Sequence, residues 1–111
     1  MDSILTSIKK LLGIGEDYTH FDEDIIMYIN NAFFILNQLG VGPDEPFTIS
    51  DSSSSWTDFT GDSNIESVRT YVFCRVKLVF DPPSNSSLLS AIERQRDELE
   101  WRLNVSEDTP S

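Results

Sequence analysis

The residue types that most often perform chemistry are sparse in this chain, which contains one histidine and one cysteine. Around His20, five carboxylates lie in the segment EDYTHFDED: Glu16, Asp17, Asp22, Glu23 and Asp24. Such a cluster raises the hypothesis of a hydrolytic metal site. The chain offers no second histidine or cysteine to complete a metal site, and acids at a helix start are explained by capping and by the helix dipole. We therefore interpret the cluster as a helix start, with no metal bound.

Nucleophilic catalysis is also disfavoured. Cys74 lies in an apolar stretch, where a thiolate is hard to form, so a catalytic pair of Cys74 and His20 is a weak hypothesis. The sequence has no G-x-S-x-G elbow and no glycine-rich phosphate loop. A single cysteine excludes a disulfide framework, and burial is typical of a free cysteine. We predict a buried structural thiol and a protein that is not an enzyme.

The segment SDSSSSW is a candidate to bind an anion or accept phosphate, although a serine run is more often a solvated linker. It lies within residues 41–64, the longest stretch without a helical pattern, and a loop of that length is usually functional or mobile. We predict an exposed loop at Asp51, Ser52, Ser53, Ser54 and Ser55. Within the same stretch, PFTIS alternates like a short strand, and Trp56 and Phe59 are expected to anchor the loop to the core.

Apolar residues recur at helical spacing in four segments. The sequence predicts helices near Ser3–Leu12, Asp22–Leu39, Ile65–Phe80 and Ser87–Asn104. The expected caps, in chain order, are Asp2 or Ser3, Thr19 or Asp22, Ser63 or Asn64, and Ser86 or Ser87. We therefore predict an all-α fold, a small four-helix domain over residues 1–104 with a strand-like segment in its long loop and a disordered tail at 105–111.

The third predicted helix is the most apolar of the four. Val68, Val72, Val76 and Val79 share one face with Ile65, so we expect this helix to be the most buried. Its β-branched residues are also typical of a strand, but the length and spacing of the pattern favour a helix.

The last predicted helix follows a rigid break. Pro82 and Pro83 end the preceding helix at about Phe80. The new helix carries a narrow apolar seam of Leu88, Leu89, Ile92, Leu99 and Leu103. Charges of both signs flank that seam, which is typical of a surface that meets another protein. The candidate interface residues are Pro82, Pro83, Arg94, Arg96, Glu100, Trp101 and Arg102, with Trp101 equally open to a place in the core.

Length and charge restrict the classes of function. A chain of 111 residues with 39% apolar residues forms one domain with a modest core, so oligomerisation is a natural source of further stability. The net charge of −11 repels phosphate, which disfavours direct DNA binding but not the lining of a passage for DNA. No apolar run approaches the length of a membrane span, and the start differs from a secretory signal. We expect an intracellular protein that does not enter a membrane.

Several phrases together resemble one known family. They are LLGIGEDYTHFDEDIIMYINNAFFILNQLGVGP, then FTISDSSSSWTDF, then VRTYVFCRVKLVFDPPSNSSLLSAIERQRDELEWRLN. In this order they resemble the head-tail connector (adaptor) proteins of tailed bacteriophages, over roughly Leu11 to Asn104. The most specific pieces are NQLGVGP, W-x-DF, and FDPP followed by E-x-E-W-R-L-N.

The resemblance implies a small helical structural protein without enzymatic activity or cofactor. Members of the family form a ring below the portal protein after DNA packaging, with twelve subunits expected. The ring extends the DNA channel and offers a platform to the next connector, stopper or tail-completion protein. The implied partners are thus the portal, neighbouring copies and that next protein, while DNA passes without specific binding. The implied location is the virion neck, with assembly in the host cytoplasm.

Two other classes of function remain open at this point. An acidic DNA mimic would inhibit a DNA-binding protein, although the acids here gather in a loop and at helix starts rather than along one long face. A helix-turn-helix regulator is disfavoured because the sequence lacks a basic recognition helix.

Overall fold

A computed structural model describes residues 3–60 and 64–108 and shows an all-helical chain. Its helices are α1 (Ile4–Leu11), α2 (Asp22–Gln38), α3 (Trp56–Thr60), α4 (Ile65–Phe80) and α5 (Ser86–Asp108). The described part of the chain contains no sheet, only an isolated antiparallel bridge between Ser3 and Ser55. The predicted all-α class is confirmed, whereas the predicted strand-like segment PFTIS forms no strand.

The predicted helix boundaries hold to within a few residues, with two differences. The short helix α3 lies in the stretch that we expected to be loop. Helix α5 continues to Asp108, so the predicted domain boundary at residue 104 falls inside a helix. Of the predicted disordered tail at 105–111, residues 105–108 are helical, and 109–111 lie outside the described residues.

The caps agree less well. Ser3 caps α1 as expected, since its Oγ accepts from the Thr6 N–H at 3.2 Å. Phe21 precedes α2 without a side-chain hydrogen bond, so the prediction of a Thr19 or Asp22 cap is wrong. The acids of the first turn suit the positive end of the helix dipole instead. The alternative caps Asp2 and Ser63 lie outside the described residues.

The caps of α4 and α5 are both asparagines. Asn64 precedes α4 in the left-handed region, with φ 62°, and makes no side-chain capping bond. Asn85 caps α5, because its Oδ1 accepts from the Leu88 N–H at 3.0 Å. The predicted Ser86 or Ser87 cap is therefore wrong, since both serines already lie within the helix.

Helix α4 is the centre of the fold, because α1, α2, α3 and α5 all pack against it. Its fully buried residues include Val68, Tyr71, Val72 and Val76, as the apolar pattern predicts. Val79 is 59% exposed, so its predicted place on the buried face is wrong. It lies in the last turn, where that side of α4 is left uncovered by the described residues.

An aromatic cluster anchors the long loop to α2. The ring of Phe33 lies 5.1 Å from that of Phe47 and 4.6 Å from that of Phe59, measured between centroids. Trp56 and Phe59 are 2% and 3% exposed, which confirms them as the loop's anchors. The Trp56 indole N–H also donates to Ser7 Oγ at 2.8 Å, so the cluster is joined to α1 as well.

Asn30 on α2 takes the place of a neighbouring strand for the PFTIS segment. Its Nδ2 donates to the Ile49 carbonyl oxygen at 3.0 Å, and its Oδ1 accepts from the Ile49 N–H at 2.8 Å. A buried backbone group must find a partner, and an asparagine amide offers one donor group and one acceptor. The segment is therefore held in place without a sheet.

The approach of Phe59 to Gly42 generates a test of this packing. Gly42 has φ +90°, and a Cβ there would lie 2.5 Å from the Phe59 ring. We expect Gly42→Ala to lower the free energy of unfolding by about 1–3 kcal/mol through backbone strain and overpacking. Thermal and urea denaturation, followed by circular dichroism, measure the change.

Two other glycines provide controls. Gly13 also has positive φ, at +82°, but its Cβ would meet nothing within 4 Å, so Gly13→Ala reports backbone strain alone. Gly15 has neither the strain nor the contact, and Gly15→Ala should have little effect. Equal destabilisation by Gly42→Ala and Gly13→Ala would contradict the role given to Phe59.

Candidate functional site

A short proline linker sets the start of α5. Pro82 is exposed and Pro83 half-buried, between the end of α4 at Phe80 and the start of α5 at Ser86. Lys77 Nζ lies 2.8 Å from Asp81 Oδ2, which braces the last turn of α4. Proline rings fix φ, so the linker restricts the direction in which α5 leaves α4.

The apolar seam of α5 faces α4 over most of its length. Leu103 is 3% exposed and belongs to the core, and Leu99 packs against that core. Leu89 and Ile92 are half-buried. Leu88 is 53% exposed, so its predicted place in the seam is wrong. It lies in the first turn after the linker, where no described residue covers it.

A polar cluster, which we call the α4–α5 latch, holds the middle of α5. The Tyr71 hydroxyl donates to Glu100 Oε2 at 2.7 Å, and Arg75 Nη1 lies 3.4 Å from the same oxygen. Tyr71 is fully buried. Its burial, and then its hydrogen bond to Glu100, raise the pKa of Tyr71 well above its ordinary value of 10.0. The latch therefore joins the core to α5 through a neutral phenol and a carboxylate.

A second polar contact ties α5 to the end of α2. Asn104 Nδ2 donates to the Leu39 carbonyl oxygen at 3.3 Å. The last carbonyl groups around a helix end lack intrahelical partners. This bond therefore also satisfies a carbonyl group at the C-terminal end of α2. The latch and Asn104 together hold α5 in one orientation along its C-terminal half.

The outward side of α5 carries a line of exposed residues that we call the α5 outer stripe: Arg94, Glu98, Trp101 and Val105. Their spacing of four, three and four residues places them on one side of a helix. Trp101 is 67% exposed, so this tryptophan is not part of the core. It borders a shallow groove of about 330 Å³ that Leu39 and Asn104 also line.

The structure places the seven residues predicted for the interface in different environments. Arg94, Trp101 and Arg102 are exposed on α5, with Arg102 Nη2 2.8 Å from Glu98 Oε1. Glu100 turns toward α4 in the latch. Arg96 is half-buried and its Nε lies 2.9 Å from Asp97 Oδ1. Pro82 and Pro83 lie before the opposite end of α5, away from Trp101.

The serine-rich loop lies beside α1 rather than beside α5. Asp51, Ser52 and Ser53 are exposed, whereas Ser54 and Ser55 are half-buried. The Ser54 carbonyl accepts from the Ile4 N–H at 2.9 Å, so the predicted exposed loop is fixed at its C-terminal end. Hydrogen bonds from the side chain and the N–H of Ser53 lower the pKa of Asp51 below its ordinary value. The loop and the α5 outer stripe do not form one site.

Between this loop, α1 and α2 lies a cleft of about 330 Å³ with a buried lysine at its base. Lys9 is 2% exposed, and its Nζ lies 2.9 Å from Asp22 Oδ1 and 3.0 Å from the Glu16 carbonyl oxygen. Asp22 Oδ1 is buried and makes no aligned hydrogen bond, so the ammonium compensates it as a charge. A buried charge requires such pairing. The Lys9–Asp22 pair is thus a structural contact between α1 and α2.

Helix α2 has an exposed line that the sequence analysis missed, the α2 outer stripe: Glu23, Met27, Asn31, Phe34 and Gln38. Met27 and Phe34 are 52% and 56% exposed although both are large and apolar. They lie seven residues apart, on the side opposite the buried face. The sequence contained a signal for this stripe, because Met27 and Phe34 lie outside the main apolar face and are separated by two helical turns.

The residues considered for catalysis are not brought together in a reactive site. Cys74 is buried, as predicted, and its Sγ lies 3.8 Å from Gln95 Oε1. Burial raises the pKa of the Cys74 thiol, which disfavours a thiolate. His20 is exposed and its ring contacts those of Tyr18 and Phe21.

Neither a metal site nor a membrane-spanning helix is found in residues 3–60 and 64–108. No group of three or more histidine, cysteine, aspartate and glutamate residues in these ranges is arranged to hold a metal ion. None of the helices in these ranges has the length and apolar character needed to cross a membrane.

A family model described as phage connector protein matches residues 4–110, which is nearly the whole chain. No curated protein and no solved structure matches the chain.

The latch predicts a specific dependence of stability on pH. Because the pKa of Tyr71 is raised in the folded state, its contribution is fully present below the unfolded value of about 10 and is lost as the pH rises above it. We expect the free energy of unfolding to fall above about pH 10. Tyr71→Phe should weaken that fall and lower stability at pH 7 by about 1 kcal/mol through loss of the bond to Glu100.

Urea denaturation at a series of pH values measures this effect. Tyr18→Phe is the matched control, because Tyr18 is 53% exposed and lies outside the latch. The same alkaline dependence in Tyr71→Phe as in the unaltered protein would show that Tyr71 does not carry it.

Proposed function

Because this chain belongs to the phage connector protein family, we propose that it is a head-tail connector that forms a ring under the portal. Membership implies a structural connector role, interactions with other phage head and tail proteins, and a place in the virion neck. The finer proposal is that the ring extends the DNA channel and joins the next connector, stopper or tail-completion protein. It acts as a scaffold and catalyses no reaction.

The observation that carries this proposal is the exposed Trp101 on a helix held in one orientation. The Trp101 side chain is 67% exposed on a helix that the latch holds in place. Tryptophan is among the residues that contribute most to protein interfaces. The linker and the latch fix α5 before any partner binds, which reduces the ordering cost of association. We therefore assign α5 the role of a docking element for the virion.

The charge distribution supports a passage for DNA rather than a site that grips it. The chain carries 19 acids against 8 bases. Residues 41–64 contain five acids and no base, and α2 has no lysine or arginine. Strong nucleic-acid binding requires neutralisation of phosphates by basic side chains. A surface of this composition lets DNA move past without holding it.

The size of the domain supports assembly into a ring. A domain of 111 residues has a modest core, and closed rings are a common form of symmetric oligomers with head-to-tail contacts. We propose twelve subunits, as the resemblance to head-tail connectors implies. The subunits would be in the host cytoplasm during virion assembly, and the ring would be completed on the portal.

Binding to portal-bearing heads tests the docking role of α5. We expect the purified protein to co-sediment with purified heads that carry a portal. Trp101→Ala should weaken that binding by about 1–3 kcal/mol, which is roughly 5- to 150-fold. The melting temperature should change little, because the Trp101 side chain is mostly outside the core.

Val79→Ala is the matched control, since Val79 is 59% exposed on α4 and outside the α5 outer stripe. A loss of melting temperature in Trp101→Ala that accounts for its loss of binding would remove the docking role. Failure of the unaltered protein to bind heads would remove the connector proposal. Displacement of DNA from a DNA-binding protein would then favour the acidic DNA mimic.

A further inference from the structure

We propose that the α5 outer stripe of one copy packs against the α2 outer stripe of the next copy, in a parallel head-to-tail contact. The inference rests on the proposed assembly of the protein and names the two surfaces that would build it. It begins from the presence of two exposed apolar lines on one molecule. Both α2 and α5 pack against α4 with their other faces, which leaves these lines uncovered.

The apolar parts of the two stripes are of similar size. Met27 and Phe34 are 52% and 56% exposed on α2, and Trp101 and Val105 are 67% and 39% exposed on α5. Burial of such side chains is the main favourable term in association. A pair of helices that meet through residues spaced by three and four positions can interlock their side chains. Each stripe therefore offers two exposed apolar side chains to the other.

Charge identifies a second copy as the occupant. The α2 outer stripe begins with Glu23, next to the exposed Asp24, and α2 contains no base. Arg94 is exposed on α5 and makes no ion pair within the described residues. Two copies that each carry −11 repel one another at a distance. A contact between them must therefore bring a basic position of one against an acidic position of the other.

The spacing of the residues selects a parallel register. Asp24 and Asn31 lie seven residues apart on α2, as Arg94 and Trp101 do on α5. When Arg94 lies beside Asp24, Trp101 comes beside Asn31, between Met27 and Phe34. Val105 then comes beside Ile35, one residue from Phe34. In the antiparallel register with Trp101 again beside Asn31, Arg94 would lie near Gln38 and Val105 near Met27, so Arg94 would have no acid of α2 opposite it.

When two copies meet head to tail, the α2 outer stripe of one copy and the α5 outer stripe of the other remain unoccupied. Such a contact continues from copy to copy and closes when the rotation between copies permits. A two-fold contact of α5 with α5, or of α2 with α2, would stop at a dimer. The two arrangements are therefore distinguishable in solution.

Two variants that each break one stripe test the proposal. Phe34→Glu removes the α2 outer stripe and Trp101→Glu removes the α5 outer stripe. Sedimentation velocity is measured on the purified protein without heads, at up to about 1 mM chain and about 0.15 M salt, where the Debye length is about 8 Å. We expect the unaltered protein to form species larger than dimers, each variant alone to remain monomeric, and their equimolar mixture to form a one-to-one dimer.

Every other result overturns the proposal. Dimers of Phe34→Glu alone would indicate an α5–α5 contact, and dimers of Trp101→Glu alone an α2–α2 contact. A monomeric mixture, or an unaltered protein that remains monomeric throughout, would exclude the contact itself. Val79→Glu is the control for the added charge, and it should associate like the unaltered protein. Circular dichroism of each variant establishes that it is folded.

A charge exchange tests the register. Arg94→Glu and Asp24→Arg should each lower the association at least tenfold, and the chain that carries both should regain most of it. Lack of recovery in the double variant would overturn the parallel register. These measurements use no portal, so the surfaces can fail while the unaltered protein still binds heads. Equally, the copies can associate while head binding, and with it the connector proposal, fails.

Discussion

The burial of α4 is the constraint on which the rest of this structure depends. Four helices pack against it, and its buried residues are almost all apolar. The exception is Tyr71, whose hydroxyl must find a partner inside the protein. Glu100 supplies that partner, so the helix that closes the core is also the helix to which we assign the docking role. One partly buried hydrogen bond thereby links the stability of the domain to the orientation of α5.

The polar side chains inside the fold have consistent roles. The side chains of Asn30 and Asn104 bond the backbone carbonyls of Ile49 and Leu39, and the Lys9 ammonium compensates the charge of the Asp22 carboxylate. Each contact joins two separate parts of the chain. The exposed charged residues are predominantly acidic, and most of the exposed large apolar residues lie on helix faces. Both properties suit the proposed connector, since acids repel phosphate and exposed apolar faces are typical of surfaces that bind other proteins.

The sequence predicted the helices well because apolar spacing reports which side of a helix is buried. It did not locate α3, since the five residues of Trp56–Thr60 are too few to show a period. It assigned a strand to PFTIS because alternation does not reveal whether the backbone partner is a strand or an asparagine. It placed Val79 and Leu88 on buried faces because spacing carries no information on where a covering helix ends. Tertiary packing also decided the exposure of Trp101, which spacing had left open.

The pairing of Asn30 with Ile49 has a consequence for the behaviour of the protein at high local concentration. An extended segment with free N–H and carbonyl groups is a template on which a second chain can add a strand. At Ile49 both groups are already bound by a side chain of the same molecule. The alternating PFTIS segment is thus protected there against intermolecular β-sheet growth, which leaves the helix faces as the surfaces open to the proposed contacts between copies.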